Sequence, residues 1–168
     1  MVNTVHFATA LGIAAPNVAL LAAMDGPAPA FPSTMDAIAL RAMALQGKFP
    51  GATVEGPLTP DAALSTEAAR SRDVKSEIAG RVDVLIAPAM ESALMVMRTM
   101  LALGGGLAAG LVLGARVPIV MPTRYDTMEV RMASCVLASL LAMALAESPK
   151  TQQPPPSLAP DTGTRAAA

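Results

Sequence analysis

The chain has 168 residues, 53% of them hydrophobic, and a formal net charge of -1. That is enough apolar material for one domain with a real core, and so even a charge balance excludes a surface that gathers nucleic acid or acidic lipid as a whole. No Trp, one Tyr and three Phe leave the core to Ala, Leu, Val, Ile and Met, and argue against ligand stacking on aromatic platforms.

Met1 to Ala15 lacks a basic n-region and carries Asn3, Thr4 and His6, so it does not read as a secretory signal, and a cytoplasmic location is the expectation. His6 lies on an amphipathic helix far from any Asp or Cys cluster and reads as a surface or cap residue rather than a catalyst. Val18 to Leu21, after Pro16-Asn17, is the first expected strand and Ala52 to Val54 a short second one. Between them Thr34 to Gln46 has helical spacing, with Ser33 or Thr34 as N-cap and Gly47 as the stop. Pro60 to Arg72 is expected as one helix, with Pro60 in its first turn. Val82 to Ala87 is the clearest strand, followed by a helix over Met90 to Leu103 and a triple glycine, Gly104-Gly105-Gly106, suited to a tight turn.

Leu107 to Leu113 and Val117 to Met121 are separated only by Gly114-Ala115-Arg116. A parallel crossover does not fit in that length, so the pair predicts an antiparallel hairpin or adjacent edge elements. Asp126 to Ala146 is the longest helix. The uncharged stretches Thr99 to Ala115 and Met132 to Ala146 are shorter than the roughly 20 apolar residues that span a bilayer, so the positive hydropathy is expected to mean a buried core and no membrane partner. Cys135 is the single cysteine; with no partner for a disulfide and no His nearby it reads as a small buried hydrophobe. Ser148 to Ala168, with Pro149, Pro154-Pro155-Pro156 and Pro160, is expected to be a disordered tail. The alternation of strands and helices predicts an α/β domain over residues 1–147 with mostly parallel strands.

Four loops carry candidate chemistry. Pro32-Ser33-Thr34-Met35-Asp36-Ala37 sets two hydroxyls at a helix start, where they either cap the helix or meet an anion such as phosphate. Gly56-Pro57-Leu58-Thr59-Pro60-Asp61 continues to Ser65 and opens another helix at the end of a strand, where ligands gather in open α/β sheets. Pro88-Ala89-Met90-Glu91-Ser92-Ala93-Leu94 has Glu91 as its ionisable member. Pro122-Thr123-Arg124-Tyr125-Asp126-Thr127 carries the guanidinium best suited to clamp a phosphate, unless Arg124 is a surface residue satisfied by Asp126. No Cys/His metal spacing, Gly-rich nucleotide loop or Ser nucleophile elbow is present.

Together with Ala79-Gly80-Arg81-Val82-Asp83-Val84-Leu85 and Gly114-Ala115-Arg116-Val117-Pro118-Ile119, these loops resemble, in order and spacing, the motifs of the phosphate acetyl/butyryltransferases. The similarity runs from about Val2 to Ala146 and is nearest to the transferase part of bifunctional enoyl-CoA hydratase/phosphate acetyltransferases. It implies a fold like that of isocitrate and isopropylmalate dehydrogenases, a three-layer α/β arrangement in two domains around a cleft. It also implies reversible acyl transfer between coenzyme A and phosphate, with acyl-CoA as substrate, no permanently bound cofactor and no metal. Apart from the resemblance, the strongly apolar helix over Met132 to Ala146, with Val136, Leu140, Leu141 and Leu145, is the expected twofold contact of a homodimer. By motif match Arg124 would hold a phosphoryl group and Thr123 would hydrogen-bond beside it. Asp61 and Glu91 would act in the same cleft, and Ser33, Thr34 and Ser65 would line it on the coenzyme A side.

Three departures bear on activity. The family normally has about as many residues again before this point, so half of the site is expected to be missing. Its third loop usually reads Pro-Asp-Leu-Glu-Ala-Gly-Asn, whereas Ala89, Ala93 and Leu94 stand here for its Asp, Gly and Asn, and Ala62 stands where Asn is common. The expectation is therefore an impaired phosphate acyltransferase or, alternatively, a non-catalytic remnant acting as a structural or interaction module.

Overall fold

The structure, a computed structural model, describes residues 1–147; the expected tail over 148–168 lies outside the described residues. The elements are α1 (Val2–Ala10), β1 (Asn17–Leu21), α2 (Pro32–Leu45), β2 (Thr53–Leu58), α3 (Pro60–Leu64), α4 (Thr66–Ser71), β3 (Val84–Ile86), α5 (Met90–Gly104), β4 (Leu111–Val112), β5 (Ile119–Val120) and α6 (Met128–Glu147). β1 is the middle strand of a three-stranded sheet in the order β2-β1-β3, and both its pairings are parallel. The α/β, parallel-sheet expectation holds. The pair β4 and β5 is antiparallel, matching Leu111 to Val120 and Val112 to Ile119, as the three-residue spacer requires.

Alternation along β1 explains why it is central. Val18 and Leu20 face a cluster with Val5 of α1, Ala37 of α2, Phe49 and Val54, while Ala19 and Leu21 face Leu58, Ala63 of α3 and Ile78. A strand covered on both faces is the mark of a parallel sheet wrapped by its own crossovers. The entry to β3 is fixed to β1 by Asn17, whose side-chain amide donates to the Arg81 carbonyl at 2.9 Å and whose backbone N–H donates to Asp83 at 2.8 Å.

β2 is longer than expected, because Gly56-Pro57 lies inside the strand rather than in a loop. Proline has no N–H to give a ladder, which is tolerable here because β2 is an edge strand. The register slips between Ala19 and Leu21, where two steps of β1 face three of β2.

Three other helix expectations are corrected. α2 starts at Pro32 with Phe31 as N-cap, so Ser33 and Thr34 sit inside its first turn. The segment Pro60 to Arg72 is two helices, because Ser65 is extended (φ -133°) and its hydroxyl caps α4 by accepting from the Ala68 N–H at 3.2 Å. The triple glycine ends α5 rather than forming a separate tight turn, Gly105 taking the left-handed cap conformation at φ 64°.

The expected burial of all the apolar content does not hold. α5 has no buried residue, and Met132, Val136, Leu140 and Met143 of α6 are exposed. Cys135 is exposed as well, on the uncovered side of α6, against the buried reading. By length and composition alone Met128–Ala146 is long and apolar enough to cross a membrane, and only 11% of that window is buried. The side of α6 that is covered packs on α1 and the hairpin. There Ser134 is 2% exposed; its hydroxyl accepts from the Gly110 N–H at 2.9 Å and donates to the Val130 carbonyl at 2.7 Å.

Candidate functional site

Because β1, β2 and β3 run parallel, the chain leaves all three at one edge of the sheet. The loops that follow carry Asp25 and Ser33 after β1, Thr59 and Asp61 after β2, and Glu91 after β3. This is the edge at which open α/β sheets hold ligands.

In the first loop the two hydroxyls differ. Thr34 is fully buried; its Oγ accepts from the Ala28 N–H at 3.1 Å and faces the carbonyls of Ala28 at 2.9 Å and Phe31 at 2.8 Å. It ties the approach of the chain to α2, and Ser33, half-buried in the first turn of α2, is the loop's other hydroxyl.

The second loop holds the densest polar cluster, and sequence reasoning missed most of it. Arg72, at the end of α4, sits between two carboxylates: Nη1 meets Asp25 at 3.2 Å and Nη2 pairs with Asp61. Nη1 also donates to the Thr59 hydroxyl at 2.9 Å, and Asp25 accepts from the Thr59 N–H at 2.5 Å. One guanidinium thus joins the loops after β1 and β2. The Thr59 hydroxyl above all, and then the Arg72 charge, hold the Asp61 carboxyl below its ordinary value. A depressed carboxyl adds stability that is complete above the ordinary value of about 3.9 and is lost as pH falls through the lower folded value. Melting temperature should therefore fall below about pH 4, and Thr59→Val or Arg72→Ala should flatten that acid limb. Curves that stay parallel to the wild type would show that the cluster carries no such linkage.

The third loop is poor in polar groups. Ser92 folds back on Ala89, its hydroxyl accepting from the N–H at 3.3 Å and donating to the carbonyl at 2.8 Å. Glu91 is exposed in the first turn of α5. Ala93 and Leu94 line an apolar groove of about 460 Å³ with Leu21, Leu85, Met97 and Leu107.

The fourth loop is a turn closed on itself: Asp126 accepts from the Thr123 N–H at 2.6 Å and its own N–H donates to the Thr123 carbonyl at 3.2 Å. Arg124 is exposed, with its guanidinium 5.7 Å from the centre of the Tyr125 ring. Among the described residues it makes no ion pair with Asp126, whose carboxylate is turned to Thr123 instead. No hydrogen bond or ion pair among the described residues links Arg124 to Ser33, Asp61 or Glu91. The structure thus joins Asp61 to its neighbours through Arg72 and to Ser65, whose N–H donates to the Asp61 carbonyl at 2.9 Å, while no hydrogen bond or ion pair among the described residues ties Ser33, Glu91 and Arg124 to one another. His6 is exposed on α1, and no group of three or more His, Cys, Asp or Glu among the described residues is placed to hold a metal ion.

Residues 1–139 match the family described as phosphate acetyl/butaryl transferase. The chain is 41% identical over 140 residues to a phosphate acetyltransferase of Rhizobium meliloti, covering 83% of this chain and 44% of that protein. It is 37% identical to a phosphate butyryltransferase of Clostridium acetobutylicum, over 83% of this chain and 46% of that one. A branched-chain phosphotransacylase from Enterococcus faecalis superposes with a TM-score of 0.74 at 29% identity, over 83% of this chain and 51% of that structure. The chain therefore spans about half the length of the relatives it matches, and over that span it belongs to the phosphate acetyl/butyryltransferase family.

Proposed function

We propose that residues 1–147 form one wall of a cleft in which an acetyl or butyryl group passes between coenzyme A and phosphate. In the full arrangement this wall belongs to an isocitrate/isopropylmalate dehydrogenase-like, three-layer fold of two domains, located in the cytoplasm, with coenzyme A as substrate rather than resident cofactor. The coenzyme A sulfur forms a bond to the acyl carbonyl carbon of the acyl phosphate, the bond from that carbon to the phosphate oxygen breaks, and the thiol proton leaves with phosphate or solvent. Arg124 holds a phosphoryl group with its planar fork and Thr123 hydrogen-bonds beside it. Ser33 and Ser65 line the coenzyme A side with the Thr34 backbone, Asp61 is held in place by Arg72, and Glu91 closes the edge.

The observation that carries this reading is family membership over residues 1–139 together with an Arg124 that is exposed and, among the described residues, holds no carboxylate. Calorimetric titration of coenzyme A into the 168-residue chain tests it. Arg124→Ala should weaken binding at least roughly tenfold, the worth of one charge-assisted contact; unchanged affinity would count against the assignment.

A non-catalytic interaction module is the second reading, and the uncovered apolar faces of α5 and α6 favour it. Both readings share one expectation: the purified chain self-associates, with Val136, Leu140 and Leu145 of α6 at a twofold contact from which Leu141, buried inside the chain, is excluded. A concentration-independent monomer in sedimentation would contradict it.

A further inference from the structure

We propose that Asp25 and Arg72 are positioning residues for coenzyme A: their ion pair clasps the loop after β1 to the loop after β2 and so sets Ser33 and Ser65 relative to each other. This deepens the acyl-transfer reading and rests on it.

Arg72 acts on both loops at once. On the side of the second loop, Nη2 pairs with Asp61, whose backbone carbonyl accepts from the Ser65 N–H at 2.9 Å. Nη1 donates to the hydroxyl of Thr59, the N-cap of α3, at 2.9 Å. On the side of the first loop, Nη1 meets Asp25 Oδ2 at 3.2 Å, while Asp25 Oδ1 accepts from the Thr59 N–H at 2.5 Å. Both oxygens of Asp25 are therefore committed to the second loop, and the carboxylate is only 14% exposed.

From Asp25 the link reaches α2 in a few steps. Only Gly26 and Pro27 separate it from Ala28. The Ala28 N–H donates to the Thr34 hydroxyl at 3.1 Å, and its carbonyl accepts at 2.8 Å from the N–H of Phe31, the N-cap of α2. Pro27 has a fixed φ, so this short span hands any shift of Asp25 on to the first turn of α2, where Ser33 sits. Little else holds the span. After Ala22, whose N–H donates to the Leu58 carbonyl at 2.9 Å, residues Ala23, Met24, Pro27, Pro29 and Ala30 are exposed. A segment with so few buried contacts opens at low cost unless something pins it.

The sign of the charge separates positioning from simple attraction. A carboxylate beside the site of a polyanion such as coenzyme A weakens binding through its field, so neutralising Asp25 strengthens binding if charge alone matters. It weakens binding if the clasp positions the loops. Asn keeps the shape of Asp but has one acceptor oxygen where Thr59 and Arg72 need two.

The test combines calorimetric titration of coenzyme A with amide hydrogen exchange of the ligand-free 168-residue chain. The wild type is compared with Asp25→Asn, Arg72→Gln, their double variant and Arg72→Lys, each verified as folded by circular dichroism. In both single variants exchange over residues 28–34 should speed roughly fivefold and coenzyme A affinity should fall by a similar factor. The double variant should be no worse than the weaker single, since both break one clasp. Arg72→Lys keeps the charge and one pairing, so it should lie between Arg72→Gln and the wild type; an affinity no better than that of Arg72→Gln would count against the clasp. Coenzyme A bound by Asp25→Asn as tightly as by the wild type, or tighter, would overturn the positioning role and leave the acyl-transfer reading standing. Unchanged exchange over residues 28–34 would do the same. A wild type that binds no coenzyme A would overturn both.

Discussion

Gly56→Ala should lower the melting temperature by roughly 10 °C, far more than an ordinary surface substitution. Gly56 sits in β2 at φ 153°, and a Cβ there would lie 2.6 Å from the Leu20 Cβ and 2.7 Å from the Leu20 carbonyl oxygen. Neither atom can retreat cheaply: Leu20 is 2% exposed in the central strand and pairs with Ile86 of β3 on its other side. Overpacking costs about 1–3 kcal/mol and the strained backbone about 1–3 kcal/mol more, so a loss of about 2–6 kcal/mol is expected. Gly26→Ala, where an added Cβ meets nothing within 4 Å, should stay within about 0.5 kcal/mol of the wild type. Thermal melts of the two variants check this; a Gly56→Ala chain that melts within two or so degrees of the wild type would show that β1 and β2 are less tightly apposed.

Phosphate-dependent thiol release from acetyl-CoA or butyryl-CoA by the 168-residue chain should fall well below the ordinary enzyme range of roughly 1 to 10³ per second. The reason lies in the third loop. Where the family resemblance leads one to expect Asp and Asn, Ala89 is the N-cap of α5 and Leu94 lines an apolar groove. Each missing contact to charge that develops in the transition state costs roughly 10²-fold or more in rate. The double variant Ala89→Asp, Leu94→Asn should recover part of that loss. Wild-type turnover inside the ordinary range would refute the impairment.

The parts of the fold set by local pattern were legible in the sequence. The β4–β5 hairpin follows from a three-residue spacer, and β1 is announced by a short apolar run bounded by Pro16. What was not legible depends on contacts distant in the chain. Asp25 and Arg72 are 47 positions apart, and no local motif joins them, so the cluster that holds Asp61 was invisible although Asp61 itself was not. Ser65 looked like a helical position because nothing in Pro60 to Arg72 breaks the period; its extended backbone is set by tertiary packing, with Ala63 and Ala69 buried on either side. Gly56-Pro57 read as the start of a loop because Gly and Pro usually end strands, yet an edge strand with an extra residue accommodates both. The exposure of Cys135 and of the apolar faces of α5 and α6 could not be read from hydropathy, which records what a residue prefers and not whether a neighbour covers it.

Amide hydrogen exchange with and without coenzyme A tests directly whether ligand binds at the carboxyl-end loops and the turn after β5. Coenzyme A should slow exchange in residues 31–36, 59–65 and 122–127 and leave α1 unchanged. Protection absent from all three segments while calorimetry records binding would place the ligand elsewhere and contradict the account.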